Sequence, residues 1–262
     1  MTRNKFQCNK PLNGLCKKII LSAVVASSLV MAADVTKESA LVTHTELGYI
    51  QTDGNTETKT FNLESKATKN WQKHVFAFMI DAQYAKDSGT ATKNKFLTEL
   101  TYDYEFTDRL AFTYLLGYKS DKFSSFDYQA YTGPGLKYTA IANKEHSLDF
   151  IGSILYSTDK YDDVVVASVV TVGESEKYSS YKVELNYVWQ IIETVKFTQD
   201  LTYRSSFEDA NNYFAFSKSA LSTKISDIFS AGISYKVDYA NLAPVGNERS
   251  DKTLAINLIL DY

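Results

Sequence analysis

The chain has 262 residues, which is enough for one large β-barrel or two small domains. Nineteen tyrosines and an aromatic fraction of 14%, with only three prolines, favour a structure of many strands and exclude extensive disorder. The net charge of -3, without a cluster of Lys and Arg, excludes the basic surface of a nucleic-acid-binding protein, so no nucleic-acid partner is predicted.

The N-terminal segment has the pattern of an export signal. Lys17 and Lys18 lead into an apolar run over residues 19–30, and the small residues Ala32 and Ala33 follow it. The run is too short to span a bilayer. We therefore predict a cleaved signal peptide over residues 1–33 and an outer-membrane β-barrel over residues 34–262. A buried helix or a membrane anchor is the alternative interpretation of the run.

The mature chain is predicted to contain no thiol. Both cysteines, Cys8 and Cys16, precede the apolar run and would be removed with it. Their loss excludes disulfides, thiol catalysis and cysteine-ligated zinc. We predict no cofactor and no metal site. The adjacent Asp162 and Asp163 have the chemistry for a divalent cation, but a solvated bend is the simpler interpretation.

From Leu41 onward, apolar and polar residues alternate with a period of two, which is typical of strands with one apolar and one polar face. The alternation is clearest in residues 74–84, 95–106, 110–119, 148–156, 181–191, 195–203, 231–239 and 254–262. It changes phase in residues 212–226, where Phe214 and Phe216 share one parity while Leu221 and Ile225 share the other. A β-bulge is predicted there.

Short turns and longer polar loops alternate between these strands. The short turns are predicted at residues 70–73, 107–109, 142–145, 191–194 and 226–228, and the longer loops at 52–57, 86–92, 120–127, 158–177, 205–212 and 241–251. Outer-membrane barrels have an even number of antiparallel strands, short periplasmic turns and longer external loops. The sequence therefore predicts an all-β, transmembrane, antiparallel up-and-down barrel of about twelve strands in a Gram-negative outer membrane. A soluble β-sandwich or lipocalin-like barrel is the alternative.

The longest predicted loop, residues 158–177, is rich in valine and therefore β-prone. We expect the two flanking strands to extend above the membrane as a hairpin. The alternatives are a segment that folds inward as a constriction and a segment that meets a partner.

Aromatic side chains gather toward strand ends, as in the interfacial girdles of membrane barrels. The predicted periplasmic girdle is Trp71, Tyr104, Phe106, Tyr138, Trp189 and Phe197. The predicted outer girdle is Tyr49, Tyr84, Tyr118, Tyr128, Tyr156, Tyr203 and Tyr239. The last strand has Leu254, Ile256, Leu258 and Leu260 at every second position and ends on Tyr262. This pattern resembles the C-terminal signal of outer-membrane barrels, so the predicted partners are the barrel-insertion machinery, outer-membrane lipid and lipopolysaccharide. The barrel itself is predicted to be a monomer.

Two segments carry a resemblance to a known family. Glu46-Leu47-Gly48-Tyr49, followed by Asp53-Gly54-Asn55-Thr56 and a strand from Thr60, resembles the opening of a domain-of-unknown-function family of salt-induced outer-membrane proteins. Residues 131–138, which follow Phe123, resemble its glycine-rich strand. The family often has Ser where this chain has Asp53, and Asp-Gly suits a tight turn equally well. The resemblance covers essentially the whole mature chain, implies a link to salt or osmotic conditions, and carries over no catalytic or binding residue.

The polar faces of the strands carry charges of both signs. The candidate lumen-lining residues are Glu64, Lys66, Asp81, Glu99, Lys182, Glu184, Lys196, Asp200, Arg204, Lys236 and Asp238. They indicate either a solute path or ion pairs that hold the lumen shut. Barrels of about eight strands are filled by side chains and those of sixteen or more enclose water, so about twelve strands leaves both interpretations open.

These features predict a barrel that is not an enzyme. We expect a narrow channel for small solutes or an envelope component for salt or osmotic stress, with a non-conducting structural or surface-adhesion barrel as the alternative. A lipid hydrolase would need a Ser and a His on the lipid-facing wall. Of the three histidines, His44 is predicted to face the lumen with Glu46, and His74 and His146 to begin strands at the periplasmic rim.

Overall fold

The computed structural model describes residues 41–52, 57–166, 169–242 and 248–262, with no side chains described for residues 164–171. The predicted signal peptide, the other residues before Leu41 and the turn at residues 53–56 lie outside this part of the chain. Within the described ranges, no helix is long and apolar enough to cross a membrane.

The described chain consists of strands joined by turns and loops. The strands are β1 (Leu41–Thr52), β2 (Thr58–Trp71), β3 (His74–Asp87), β4 (Thr90–Glu105), β5 (Leu110–Asp121), β6 (Phe126–Ala142), β7 (His146–Tyr161), β8 (Val164–Val166), β9 (Val169–Thr171), β10 (Ser175–Ile192), β11 (Val195–Ser206), β12 (Tyr213–Lys224), β13 (Phe229–Ala240) and β14 (Ser250–Asp261).

Twelve of these strands form one closed antiparallel barrel, in the order β1-β14-β13-β12-β11-β10-β7-β6-β5-β4-β3-β2. Sequence neighbours pair with each other, and β1 pairs with β14 to close the wall. At this seam Thr43 and Tyr262 exchange two backbone hydrogen bonds of 2.6 and 2.9 Å. Closure leaves no strand edge, as a wall in hydrocarbon requires. The predicted up-and-down barrel of about twelve strands is confirmed.

The two faces of the wall differ as the alternation predicts. Along β14, the lipid-facing Ile256 is 70% exposed and its neighbour Asn257, which points into the lumen, is 6% exposed. Leu254 and Leu258 face outward with Ile256, whereas Ala255 and Ile259 are buried with Asn257. This is the apolar-outside, polar-inside pattern of a membrane barrel.

The turns divide between the two ends of the barrel. Short turns at residues 72–73, 106–109, 143–145, 193–194 and 225–228 share the periplasmic end with Leu41 and Asp261. The opposite, extracellular end carries the longer connections, with two exceptions. Between β5 and β6, residues 122–125 form a connection no longer than the periplasmic turn at 106–109. Instead of the predicted loop over residues 86–92, β3 and β4 are joined by Ser88 and Gly89 alone, at φ 48° and 82°. Two consecutive residues of positive φ are typical of a type I′ hairpin turn, whose twist matches that of the strands.

The valine-rich loop forms a hairpin. β7 and β10 remain paired as far as Lys160 and Ser175, and beyond them β8 and β9 pair as a separate two-stranded sheet. Backbone pairing between β8 and β9 protects a β-prone segment from unpaired exposure.

The predicted bulge in residues 212–226 is wrong. β12 pairs with β11 and β13 in unbroken register from Tyr213 to Lys224. The phase change arises because Phe214 and Phe216 share the inward parity of the buried Lys218, while Leu221 faces lipid. Register shifts occur elsewhere, in the pairings of β3 with β4, β6 with β7 and β10 with β11.

Candidate functional site

The inward face of the barrel wall brings charges from opposite strands together. The register places the predicted lumen-lining residues at inward positions, for example Glu64 opposite Asp81 and Lys182 opposite Arg204. Five ionic side chains, four of them buried and one half-buried, form one group, defined here as the Glu64 cluster. Its members are Glu46, Glu64, Asp81, Lys218 and Lys236.

The Glu64 cluster crosses the lumen. Lys218 on β12 lies 2.8 Å from the carboxylates of both Glu46 and Glu64, which stand on β1 and β2. Lys236 on β13 lies 2.7 Å from Glu64 and 2.9 Å from Asp81 on β3. The two lysines are only 4% and 6% exposed, so their charges depend on these carboxylates rather than on water.

Neighbouring polar groups complete the Glu64 cluster. Asn257 donates to Glu46 at 2.8 Å, and His44 joins Glu46 to Asp261 through contacts of 3.2 and 2.5 Å. A void of about 10 Å³ beside the cluster is lined in part by Asn62, whose buried Oδ1 has no partner in the described protein. That volume holds about one water molecule. Side chains therefore fill the lumen at this level.

A second group of ion pairs lies on the other side of the lumen. Lys182 contacts Glu99 at 2.9 Å and Glu184 at 3.1 Å, and the Tyr131 hydroxyl donates to Glu99 at 2.6 Å. Lys95 on β4 and Asp238 on β13 form a further ion pair. The Lys182–Glu99 and Lys95–Asp238 pairs join strands that are not neighbours in the wall, whereas Lys182 and Glu184 both lie on β10. The lumen is thus crossed at more than one point.

Four of the predicted lumen residues form none of these ion pairs, and one of the four, Arg204, is described below. Lys66, Lys196 and Asp200 face inward, and none of them forms an ion pair with another described residue. Lys196 lines a cavity of about 250 Å³ at the periplasmic end, together with Gln190, Ser222, Lys224 and Asp261. Lys66 is exposed in the same half of the barrel. The interior is therefore packed at the ion pairs and open toward the periplasm.

Several residues of these groups were not predicted from the sequence. Lys218 was not among the candidates, although it shares the inward parity of Phe214 and Phe216. Glu46, which was predicted to face the lumen beside His44, was not among the candidates, and neither was Lys95. These residues alternate with lipid-facing neighbours in the sequence, and this alternation could have identified them as inward-facing.

The lipid-facing surface carries the predicted aromatic girdles. Trp71 and Trp189 are exposed near the periplasmic end, while Tyr49 and Tyr156 are exposed near the extracellular end. Two histidines stand within the periplasmic girdle. The Nδ1 atoms of His74 and His146 lie 2.8 and 2.9 Å from the hydroxyls of Tyr102 and Tyr187.

The loops show no metal-binding arrangement in the part of the chain that is described. No group of three or more His, Cys, Asp or Glu is suitably placed there. In the loop after β7, Asp163 accepts a hydrogen bond from the Gly173 amide at 3.0 Å. Burial, with Asp127 and Asp163 nearby, raises the pKa of Asp162 above its ordinary value.

Comparisons with known proteins agree with this architecture. A family model described as "Protein of unknown function, DUF481" matches residues 45–262, and the chain belongs to this family. An outer membrane channel from Pseudomonas putida F1 is similar in structure, with a TM-score of 0.50, 9% identity, and coverage of 88% of this chain and 100% of that one. The translocator domain of the autotransporter NalP from Neisseria meningitidis gives a TM-score of 0.48 at 9% identity, covering 94% of each chain. A comparison with curated proteins gave no match. At these identities the likeness concerns the fold, and the chain is an outer-membrane β-barrel.

Proposed function

We propose that this member of the DUF481 family is a narrow outer-membrane channel that is closed at rest by ion pairs across its lumen. The observation that carries the proposal is the Glu64 cluster, in which Lys218 and Lys236 reach carboxylates on the far side of β14. A link to salt or osmotic stress enters the proposal only through the family resemblance.

Long charged side chains close the lumen at the level of the Glu64 cluster. A solute could pass only if Lys218 or Lys236 withdrew from its carboxylates. Lys has a flexible four-carbon stem, so it can change position without a rearrangement of the backbone. The periplasmic cavity and the exposed Lys66 support an interior that already admits water from one end.

Conductance of the purified, folded barrel in planar bilayers tests the proposal. Wild type should show rare, small openings. The variant Lys218→Met/Lys236→Met should open often and select cations, because Glu46, Glu64 and Asp81 remain in the lumen without their lysines. Lys66→Met is the matched control, since Lys66 faces inward without bridging the lumen, and it should behave as wild type.

The second candidate is a non-conducting structural or surface-adhesion barrel, which the filled lumen also favours. Folded Lys218→Met/Lys236→Met protein that remains silent would support this candidate and contradict the channel. Glu64→Gln provides an independent variant, since both lysines keep one carboxylate each and folding should be retained. More frequent openings of this variant would again support the channel.

We further propose that the barrel is a monomer without hydrolase activity, inserted through its C-terminal strand ending at Tyr262. His44 points into the lumen toward Glu46 and Asp261, and the lipid-facing His74 and His146 contact tyrosine rather than serine hydroxyls. We expect no phospholipid turnover by purified protein in detergent micelles. Turnover abolished by His74→Ala or His146→Ala would contradict this expectation.

A further inference from the structure

Arg204 is a buried cation between two aromatic rings. It lies on the inward face of β11 and is 6% exposed. Its guanidinium carbon is 4.7 Å from the ring centre of Tyr131 and 4.6 Å from that of Phe214. Contacts of this kind engage the faces of a guanidinium and leave its planar edge of N–H donors as the part able to form hydrogen bonds.

The donors of Arg204 have no acceptor among the residues that the structure describes. Its Nη1 atom is fully buried without a hydrogen-bond partner, and no ion pair involves the residue. A buried guanidinium donor left unsatisfied is costly, so native proteins rarely keep one without an ion or water beside it.

The buried carboxylates in this part of the lumen are occupied by other donors. Asp159 accepts from Gln129 at 3.0 Å and from Tyr178 at 2.7 Å. Glu99 is bound by Lys182 and Tyr131. Arg204 therefore differs from the lysines of the lumen ion pairs, each of which has its own carboxylate.

Lys119 is a second cation at the same place. Its Nζ lies 5.9 Å from the ring centre of Phe214, so Lys119 and Arg204 contact the same aromatic side chain and repel each other. No ion pair to Lys119 is formed by any residue in the described ranges. Asp238 and Asp121 attract Lys119 only from a longer distance, without a salt bridge. Two neighbouring cations that have no carboxylate in direct contact favour the entry of an anion.

We propose that Arg204 and Lys119 form a binding site for a small carboxylate solute near the extracellular mouth of the lumen. Both residues lie close to the extracellular ends of their strands, β11 and β5. The guanidinium edge can pair with a carboxylate through two parallel hydrogen bonds, and Lys119 adds a point charge. The rings of Tyr131, Phe214 and Phe126, the last 6.2 Å from Phe214, provide apolar surface for the body of the solute. The site goes beyond the proposed channel, because binding does not require conduction.

Calorimetric titration of the folded barrel in a zwitterionic detergent at low salt tests the site, with benzoate as the probe. Wild type should bind benzoate, and Arg204→Gln should bind it on the order of tenfold more weakly or not at all. Arg204→Lys keeps the charge but loses the two-pronged geometry, so it should also bind more weakly than wild type. Arg109→Gln removes an exposed guanidinium from a periplasmic turn and is the matched control.

Two further variants keep the proposal testable if Arg204→Gln does not fold. Lys119→Gln and Phe214→Leu leave Arg204 in place, and each should weaken benzoate binding several-fold. Binding that is undetectable in wild type, or that is unchanged in Arg204→Gln, would overturn the site. So would tighter binding of inorganic sulfate than of benzoate, because it would show charge attraction without recognition of a carboxylate on an apolar body. These results are independent of conductance, so the site and the channel can fail separately.

Discussion

The ring of Tyr131 lies against Gly117, and a β-carbon at position 117 would stand 2.2 Å from Cε2 of that ring. The two residues face each other across β5 and β6. The space left by the glycine lets Tyr131 reach Glu99. We expect Gly117→Ala to displace the ring and to destabilise the barrel by about 1–3 kcal/mol, the cost of overpacking a filled interior. Urea unfolding of the barrel in vesicles measures the change.

Gly152 provides the control for this substitution. It lies on the lipid-facing parity opposite Leu136, and a β-carbon there would have no atom within 4 Å. Gly152→Ala should change stability by less than about 0.5 kcal/mol. Equal losses from Gly152→Ala and Gly117→Ala would show that backbone freedom, and not the room for Tyr131, explains the result.

Strand faces could be predicted from the sequence because the period of two is a local property. Leu254, Ile256 and Leu258 occupy every second position of the sequence, and in the structure all three face lipid while the residues between them face the lumen. The number of strands followed from the same pattern, since each apolar face must meet lipid and each strand must pair on both sides. The pairing of the first strand with the last also follows from the strand number. With an even number of strands, the first and last strands run antiparallel and can pair, as they do at Thr43 and Tyr262.

Contacts across the lumen could not be predicted in the same way. Parity indicates that Lys218 and Glu46 both point inward, but their meeting depends on the tilt and stagger of a closed barrel. Inward aromatic residues were also unexpected. Phe214 breaks the rule that aromatic faces meet lipid because it packs on Arg204, a contact between strands that no local pattern shows.

The ion pair between Lys95 and Asp238 is suited to a double-mutant cycle, because these two side chains are each other's only ion-pair partner among the described residues. Lys95→Met and Asp238→Asn should each destabilise the barrel, because each leaves a buried partner uncompensated. The double variant should lose less than the sum, with a coupling energy of about 1–3 kcal/mol in urea unfolding.

A residue outside this pair tests the cycle. Lys66 faces the lumen without an ion pair to a described residue, so Lys66→Met combined with Asp238→Asn should be additive within about 0.5 kcal/mol. If the free-energy losses of Lys95→Met and Asp238→Asn were additive, the ion pair between Lys95 and Asp238 would contribute nothing to stability.

The two tryptophans should report the depth of the periplasmic girdle. Trp71 and Trp189 are both exposed on the lipid-facing surface and lie near the same end of their strands. Indole prefers the headgroup level. Fluorescence should therefore be quenched more by lipids brominated near the headgroup than by lipids brominated near the chain end, in wild type and in Trp71→Phe alike. Stronger quenching by lipids brominated near the end of the acyl chain would contradict this prediction, because it would place the two tryptophans in the hydrocarbon core.

Tyr262 contributes to the seam that closes the barrel. Tyr262 exchanges two backbone hydrogen bonds with Thr43, and the adjacent Asp261 contacts His44 at 2.5 Å. Deletion of Tyr262 should cost about 2 kcal/mol from the two lost bonds and should slow insertion, because it leaves unpaired backbone groups at the seam. Gel electrophoresis without boiling follows the folded fraction with time in vesicles. Tyr262→Phe keeps the backbone bonds and the ring, so it should fold like wild type. A deletion variant that folds at the wild-type rate to the same stability would show that the seam closes without the Thr43–Tyr262 pair.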